Sequence, residues 1–166
     1  MIFVTVGTHE QSFDRLLIEI DRYAKENCLS KESIVVQKGY SNYELKHVTA
    51  QTMFSIEEMS NFYEKADLIL THGGPGSMFP AWILGKPIIA IPRQAKFNEH
   101  VDNHQLEFCD FMESKGKLVA VKDISELSNT IDVVMKKVQI KGHESKTQLF
   151  LDRFESEVES ILGGQR

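Results

Sequence analysis

The segment that decides the fold is Leu68-Ile69-Leu70-Thr71-His72-Gly73-Gly74-Pro75-Gly76-Ser77. An apolar run typical of a buried strand leads directly into a glycine-rich turn, and a run of helix-forming residues follows. In parallel α/β sheets ligands bind beyond the carboxyl ends of the strands, where helix N-termini offer free N–H groups to anions. The glycine pattern alone favours a phosphate site and a tight turn that needs positive φ about equally.

This turn differs from the two best-known phosphate motifs. No Gly-Lys-Ser/Thr follows it, so it is not a Walker loop, and its glycines are not spaced as GxGxxG. If it holds an anion, we expect Gly73, Gly74 and Gly76 to allow close approach to the backbone and Ser77 to add a hydroxyl donor.

Short β-rich runs alternate with helical runs on both sides of this segment. After the first run, Phe13, Leu16, Leu17 and Ile20 recur at helical spacing. The predicted strands are residues 2–6, 34–36, 48–54, 68–70, 87–91 and 118–121, and the predicted helices are 13–24, 55–66, 75–85, 98–115 and 123–138. The strands are continuous apolar runs, as in sheets that are buried on both faces. The alternation therefore predicts an α/β fold, a three-layer sandwich with a mainly parallel sheet.

Composition excludes several classes of protein. The chain has 166 residues, enough for one domain, and a net charge of −5, so it lacks the basic surface of a nucleic-acid-binding protein. No apolar run has the length of a spanning helix, and the start has no signal-peptide pattern. We expect a cytoplasmic protein in which Cys28 and Cys109 are reduced, buried thiols.

A second polar turn closes the first predicted strand at Gly7-Thr8-His9-Glu10. Because it also connects a strand to a helix, we expect it at the same edge of the sheet as the first turn, where the two could surround one diphosphate. Spacing alone favours a solvated loop for His9 and Glu10.

A third polar cluster runs from Pro92 to Gln105. His100 and His104 lie four residues apart, which would place them on one face of the predicted helix and is a spacing that zinc ligands use. No third ligand stands out, so recognition of a polar ligand is the favoured interpretation. Arg93 would face a phosphate, Glu99 would accept from sugar hydroxyls, and His104 and Gln105 would bond a sugar or base.

Three motifs in this order resemble the donor-binding half of GT-B glycosyltransferases of the family 28 type. They are V-T-V-G-T-H-E-Q-x-F-D-R-L at 4–16, T-H-G-G-P-x-S at 71–77 and P-R-Q-x-x-x-x-E-H-x-x-x-H-Q at 92–105. The resemblance covers roughly residues 1–140 and is strongest to small bacterial capsule or exopolysaccharide glycosyltransferase subunits. It extends to the peptidoglycan and dolichol-pathway N-acetylglucosaminyltransferases. It implies a Rossmann-like domain equivalent to one half of a GT-B fold.

The resemblance also implies a ligand. The substrate would be a nucleotide-diphosphate sugar, usually a UDP-sugar, with no metal or other cofactor. The turn with Gly7 and Thr8 and the turn from His72 to Ser77 would hold diphosphate and ribose, and the segment 99–105, including His100, would hold the sugar. Larger relatives commonly place a ribose-binding carboxylate where this chain has Pro80, so ribose must be recognised by another group.

The resemblance implies a partner as well, because a GT-B active site lies between two Rossmann-like domains. The missing half would be a membrane-anchored, acceptor-binding subunit that recruits this chain to the inner face of the membrane. The acceptor would be a polyprenyl-diphosphate-linked sugar, and the reaction an inverting hexosyl transfer. The candidates for the general base in this chain would be His9 first and Glu10 second. The base could instead be a group of the partner. The alternative is a non-catalytic, regulatory module that binds a nucleotide sugar. A stand-alone nucleotide-sugar epimerase is disfavoured, because it would need both halves of a GT-B cleft in one chain.

The C-terminal region has a different pattern. Residues 141–148 are polar and predict a linker between the domain at 1–140 and a final helix at 149–162. The apolar residues of this last segment form an amphipathic stripe: Leu149, Phe150, Phe154, Val158, Ile161 and Leu162. Docking on its own domain and contact with the partner are both compatible with the stripe, and the GT-B resemblance favours the partner.

Overall fold

The computed structural model describes residues 1–141 of the chain. Its strands are β1 Ile2–Thr5, β2 Ile34–Gln37, β3 Thr49–Gln51, β4 Leu68–Thr71, β5 Ile88–Ala90 and β6 Val119–Ala120. Its α-helices are α1 Asp14–Glu26, α2 Ile56–Lys65, α3 Pro75–Ile83, α4 His104–Ser114 and α5 Leu127–Lys141. Most of the predicted linker and the predicted helix at 149–162 lie outside the described residues.

All described strands are parallel and lie in the order β3-β2-β1-β4-β5-β6. The chain builds outward from β1 to β3 and then returns to place β4 on the other side of β1. The register pairs Thr5 with both Gln37 and Thr71, so these three strands end level with one another. The predicted Rossmann-like α/β fold is confirmed, and its topological switch lies between β1 and β4.

Two apolar cores cover the two faces of the sheet. On one face α1 and α5 pack on alternate residues of the central strands, such as Val4 and Leu70, and on the other α2, α3 and α4 pack on Phe3 and Ile69. These four strand residues are fully buried. Burial on both faces is the reason that the strands show no polar alternation in the sequence.

Local signals set the helix boundaries where they are strong. Ser55 caps α2 as predicted: its hydroxyl accepts from the Glu58 N–H, and the Glu58 carboxylate accepts from the Ser55 N–H at 2.8 Å. Helix α5 runs to Lys141, the last residue that the structure describes, and so includes the predicted end at residue 138.

The predicted helix at 98–115 is wrong over its first six residues, since α4 begins only at His104. Asn98 has a φ of +57° and ends a short 3₁₀ turn. The Asn103 Oδ1 accepts from the Ala95 N–H at 3.1 Å, and the Asp102 Oδ1 accepts from the His104 N–H at 3.1 Å. Short polar side chains thus bind backbone groups that a helix would use, and a looped segment replaces the first turns.

The two cysteines have different surroundings. Both are free thiols, and Cys109 is buried as predicted, which raises its pKa to about 12. Cys28 is exposed, so the prediction of burial is wrong there. It follows the end of α1 with a φ of +51°. Among the described helices, none combines the length and the apolar character needed to cross a bilayer.

Candidate functional site

The two predicted glycine turns meet at the switch point between β1 and β4. Gly7 follows β1 with a φ of +75°, and Gly73 follows β4 with a φ of +85°, a region that side chains other than glycine rarely adopt. A Cβ on Gly7 would lie 2.5 Å from Cε1 of His72, and a Cβ on Gly74 would overlap the same ring. The imidazole of His72 therefore fills the space between the two turns and sets their spacing.

His72 is a neutral imidazole in this position. Burial lowers its pKa to about 4, and the positive charge of Arg93 adds to the effect. Weaker contributions in the same direction come from His9 and His100, whereas a hydrogen bond with the Thr5 backbone opposes them. Three imidazoles thus lie near one another at this edge, and His72 is the one that is packed between backbone turns.

The N-terminus of α3 projects from the second turn. Gly74 is the N-cap residue, and Pro75 takes the first helical position. Gly76 is exposed, and a Cβ built there would meet no atom within 4 Å. Within residues 1–141 the Gly76 N–H has no hydrogen-bond acceptor, as is normal for the first turn of a helix. A backbone donor at the positive end of a helix dipole is available to an anion here.

Ser77 does not present its hydroxyl to this surface. The Ser77 side chain is buried and donates to the Gly74 carbonyl oxygen at 2.9 Å, while its oxygen closely contacts the Thr71 hydroxyl. The hydroxyl proton is used inside the turn, so the prediction that Ser77 donates to a ligand is contradicted. What the turn offers to a ligand is its backbone.

The loop after β1 brings His9 to the same edge, between exposed Thr8 and Glu10. The Nδ1 of His9 accepts a hydrogen bond from the Gln11 N–H at 3.2 Å. Burial lowers the pKa of His9, with smaller contributions from His100 and Arg93, and Glu10 opposes the shift. The ring centroids of His9 and His100 are 4.8 Å apart.

Arg93 was expected to face a phosphate, and the structure contradicts this. Its side chain is fully buried and donates to four backbone carbonyl oxygens, those of Val6 at 2.9 Å, Gln11 at 2.6 Å, Ser12 at 3.5 Å and Glu99 at 3.0 Å. The guanidinium also lies 4.8 Å from the ring centroid of Phe13. Burial lowers the pKa of Arg93 to about 10, with Glu99 opposing. Arg93 ties the loop after β1 to the segment after β5.

Glu99 is likewise part of the framework rather than of an exposed sugar site. It is 3% exposed, and its two oxygens accept from the Arg15 Nε at 2.8 Å and Nη2 at 2.9 Å. The Gln94 N–H adds a third bond to the same carboxylate at 3.1 Å. Because both oxygens are occupied, the prediction that Glu99 accepts from sugar hydroxyls is contradicted.

Sequence reasoning missed the role of Arg15 and the position of Phe97. Arg15 lies on α1, 84 residues from the carboxylate it pairs with, and a local pattern gives no sign of that contact. The Phe97 ring is half-exposed, with the Arg15 guanidinium carbon 4.9 Å and the Lys96 ammonium nitrogen 4.7 Å from its centroid. Open pockets of about 330 and 430 Å³ lie on either side of this ring, away from the glycine turns.

His100 and His104 do not share a helix face, because His100 precedes α4. Instead both approach Asp102: the Nδ1 of His100 lies 3.0 Å from its Oδ1, and the Nδ1 of His104 lies 2.8 Å from its Oδ2. This contact raises the pKa of His104 and lowers that of Asp102. Gln105 accepts from the Arg93 N–H at 3.1 Å. Residues 1–141 contain no cluster of three or more His, Cys, Asp or Glu side chains with metal-binding geometry.

Comparison with known proteins places this geometry in a family. The model of the glycosyltransferase family 28 C-terminal domain matches residues 1–160. The human UDP-N-acetylglucosamine transferase subunit ALG13 is 28% identical over 125 residues, which are 70% of this chain and 10% of that protein. The UDP-N-acetylglucosamine–N-acetylmuramyl-(pentapeptide) pyrophosphoryl-undecaprenol N-acetylglucosamine transferase of Cupriavidus pinatubonensis is 28% identical over 87 residues, 52% of this chain and 23% of that enzyme.

Solved structures agree on the fold. The glycosyltransferase of kitacinnamycin superposes with a TM-score of 0.65 at 14% identity, over 96% of this chain and 39% of that one. MurG of Acinetobacter baumannii superposes with a TM-score of 0.56 at 19% identity, over 93% of this chain and 49% of that one. This chain thus spans less than half of either structure, and about a tenth of the human relative. The chain belongs to the glycosyltransferase family 28 C-terminal domains and has the fold of the C-terminal-type half of a GT-B glycosyltransferase.

Proposed function

We propose that this chain is the donor-binding, catalytic subunit of a two-component inverting glycosyltransferase. It binds a UDP-sugar at the edge of the sheet between β1 and β4 and transfers the hexose to a polyprenyl-diphosphate-linked sugar in capsule or exopolysaccharide synthesis. The observation that carries the proposal is the meeting of the turns at Gly7 and at Gly73-Gly74 at the topological switch point, with the bare N-terminus of α3 beside them.

This edge suits a diphosphate because its donors are backbone groups. Exposed Gly76 leaves room beside the first turn of α3, so a phosphate oxygen can approach the N–H to hydrogen-bond distance. The helix dipole favours the negative charge that grows on the leaving diphosphate as the glycosidic bond breaks. The proposed reaction therefore needs no metal ion, since this chain's own backbone stabilises the leaving group.

The side chains that remain available after the corrections above define the sugar side of the site. His104 is 81% exposed, and Gln105 is half-buried, with no hydrogen bond from its amide nitrogen within residues 1–141. Both lie where α4 begins, at the carboxyl end of β5, and we assign them to the sugar. The names of the two relatives, which are UDP-N-acetylglucosamine transferases or their subunits, support uridine as the base of the nucleotide.

The proposal includes a partner that supplies the other half of the GT-B fold. The described residues form one Rossmann-like unit, whereas the solved glycosyltransferases are more than twice as long as the part that this chain covers. The human relative is named as a transferase subunit, which supports an acceptor-binding half on a separate, membrane-anchored protein. Such a partner would recruit this chain from the cytoplasm to the inner membrane face, and we assign residues 149–162 to the contact.

Isothermal titration of the purified chain tests donor binding. We expect saturable binding of UDP and of at least one among UDP-N-acetylglucosamine, UDP-glucose and UDP-galactose, with ADP binding at least about tenfold more weakly, a difference of roughly 1.4 kcal/mol. The Gly76→Val variant is the matched negative control. A wild-type chain that binds none of these nucleotides at millimolar concentration contradicts the proposal.

The alternative function is a non-catalytic module that binds a nucleotide sugar and regulates another transferase. To separate the two, the purified chain is added to membranes from a strain of the source organism that lacks it, together with each radiolabelled UDP-sugar. Transfer to lipid that depends on the added chain supports the catalytic subunit. Transfer that proceeds without the chain and is only changed in rate by it supports the regulatory module.

A further inference from the structure

The outward face of α3 is apolar. The helix contains no charged residue, and on this face Phe79 and Ile83 are 47% and 65% exposed. Phe79 lies one turn after Gly76, so the face begins beside the proposed phosphate site. Single exposed apolar residues are normal on a protein surface, but a helix that is apolar on both sides is normally covered on both. Within residues 1–141, α3 buries Met78 and Ala81 on its inward side and leaves its outward side to solvent.

The apolar surface continues from α3 to α4 through a chain of ring contacts. The rings of Phe79 and Trp82 stack with centroids 6.0 Å apart, and the Nζ of Lys117 lies 4.9 Å from the Trp82 centroid. Two residues earlier, the Nζ of Lys115 lies 5.6 Å from the ring centroid of Phe111, which is 57% exposed on α4. Both helices pack on the same apolar core, so their outward faces are on the same side of the sheet. We call this surface the α3–α4 patch, and its residues are Phe79, Trp82, Ile83, Phe111, Lys115 and Lys117.

The charge beside the patch changes sign along α4. Glu107 lies in the first turn of α4, toward the carboxyl edge of the sheet, one turn before Phe111. Asp110 pairs with Lys122 on the side of β6. After the helix, the segment 115–122 contains three lysines and no acidic residue. The patch is therefore basic at the end away from the proposed donor site, although the whole chain has a net charge of −5.

Lysine beside aromatic rings is more typical of a lipid interface than of a protein interface. The cores of protein–protein interfaces are depleted of lysine. At a bilayer surface, aromatic and aliphatic side chains enter the boundary between headgroups and acyl chains, while lysine extends its ammonium group to the lipid phosphates. In the patch Lys115 and Lys117 each lie over a ring. The composition and the local charge thus both fit an anionic lipid surface.

We propose that the α3–α4 patch docks on an anionic lipid bilayer. Phe79, Ile83 and Phe111 enter the headgroup boundary, and the segment 115–122 supplies the positive charge that attracts lipid phosphates. This contact goes beyond the proposed function, in which a partner alone brings the chain to the membrane, and the choice of a bilayer as occupant rests in part on that function's lipid-linked acceptor. Helix α3 has nine residues and is roughly 14 Å long. The proposed phosphate site at its N-terminus therefore lies within about one helix length of the lipid that carries the acceptor.

Tryptophan fluorescence tests the docking directly, because Trp82 is the single tryptophan of the chain. The purified full-length chain is mixed with vesicles of phosphatidylcholine and phosphatidylglycerol in equal amounts. We expect a blue shift of the Trp82 emission, quenching by lipids brominated in their acyl chains, and weaker binding as salt is added. Binding to vesicles of phosphatidylcholine alone should be at least about tenfold weaker.

Cosedimentation of variants with the same vesicles tests the apolar contact. The double variant Ile83→Ser with Phe111→Ser should partition onto the vesicles at least about tenfold more weakly than wild type. The matched control is Ile18→Ser with Val133→Ser, which changes residues that are 47% and 42% exposed on α1 and α5, over the opposite face of the sheet. We expect this control to stay within about twofold of wild type.

Charge reversal tests the electrostatic contact. Lys115→Glu should weaken vesicle binding about fivefold or more, whereas Lys25→Glu on the exposed surface of α1 should change it less than about twofold. The Kd for UDP should stay within about twofold of wild type in all of these variants, because none of them changes the proposed donor site. Circular dichroism confirms that each variant is folded.

Three outcomes overturn the proposal. Equal vesicle binding by the two double variants, or binding without a change in Trp82 emission, places any lipid contact elsewhere, such as at residues 149–162. A blue shift that depends on protein concentration and needs no lipid shows that a second copy covers the patch. A chain that docks through the patch but does not bind UDP confirms this proposal and contradicts the proposed function, so the two fail separately.

Discussion

The turns after β1 and β4 and the segment between β5 and α4 border the same site but are built in opposite ways. At the turns, Gly7, Gly73 and Gly74 leave room for the side chains packed against them, and exposed Gly76 leaves open space beside the first turn of α3. Between β5 and α4, Arg93 and Glu99 are buried and bind loops together. Polar residues near the proposed ligand site thus divide into those that are available to a ligand and those that hold the loops in place.

The largest expected effect is on the second region. Arg93→Met removes the donor that four backbone carbonyl oxygens share and should lower the free energy of unfolding by about 3–5 kcal/mol. Urea denaturation followed by circular dichroism measures the change. Lys25→Met, on the exposed face of α1, should cost less than about 0.5 kcal/mol. An Arg93→Met chain as stable as wild type but defective in UDP binding would restore a ligand role for this residue.

The second prediction concerns His72 and pH. Its pKa is lowered from 6.5 to about 4 in the folded chain, so the unfolded chain takes up the proton first as the pH falls. The contribution of neutral His72 to the free energy of unfolding is fully present above about pH 6.5. It is lost progressively down to about pH 4, with a loss of about 2 kcal/mol at pH 5.

Urea denaturation at pH 7.5 and pH 5 checks this prediction. The difference between the two free energies should shrink by about 2 kcal/mol in His72→Gln, because the titrating group is absent, and should persist in His47→Gln. If the pH dependence is the same in all three chains, the ring is not held neutral between the two turns.

The third prediction contrasts two glycines of one turn. Gly76→Val should change the stability by less than about 1 kcal/mol, since its side chain enters open space, yet weaken UDP binding about tenfold by occupying the space beside the N–H. Gly74→Ala should cost about 1–3 kcal/mol, because its methyl group meets the His72 ring. Thermal unfolding and UDP titration of both variants separate the effects. Undiminished UDP binding by Gly76→Val would show that the phosphate does not bind at this turn.

The same contrast explains how far the sequence alone predicts the site. The turns were predictable because strand, glycines and helix follow one another, so local chemistry and topology point to the same place. The roles of Arg93 and Glu99 were not, because their partners lie on the loop after β1 and on α1, more than 80 residues away. A charged residue next to a motif carries no local mark of whether its charge will be neutralised inside the fold.

The start of α4 shows a second limit. The segment Asn98-Glu99-His100-Val101-Asp102-Asn103 contains no proline or glycine, so periodicity continued the helix through it. In the structure the helix does not form there, because Asn98 has a left-handed backbone conformation. The side chains of Asp102 and Asn103 also accept hydrogen bonds from backbone N–H groups. Side chain to backbone competition of this kind depends on a few tenths of a kilocalorie per residue, which pattern reasoning does not resolve.

The smallest expected effect tests whether this bend or the buried ion pair sets the shape of the segment. Asn98 has a φ of +57°, which asparagine tolerates, glycine prefers and alanine disfavours. Asn98→Ala should therefore lower the free energy of unfolding by about 1 kcal/mol, while Asn98→Gly should leave it within about 0.5 kcal/mol of wild type. Urea denaturation of the two variants measures the difference. Because the side chain of Asn98 is exposed, neither substitution removes buried packing contacts. If the two variants are equally stable, the left-handed bend contributes nothing of its own, and the hydrogen bonds of Glu99 and Asn103 hold the segment that carries His100.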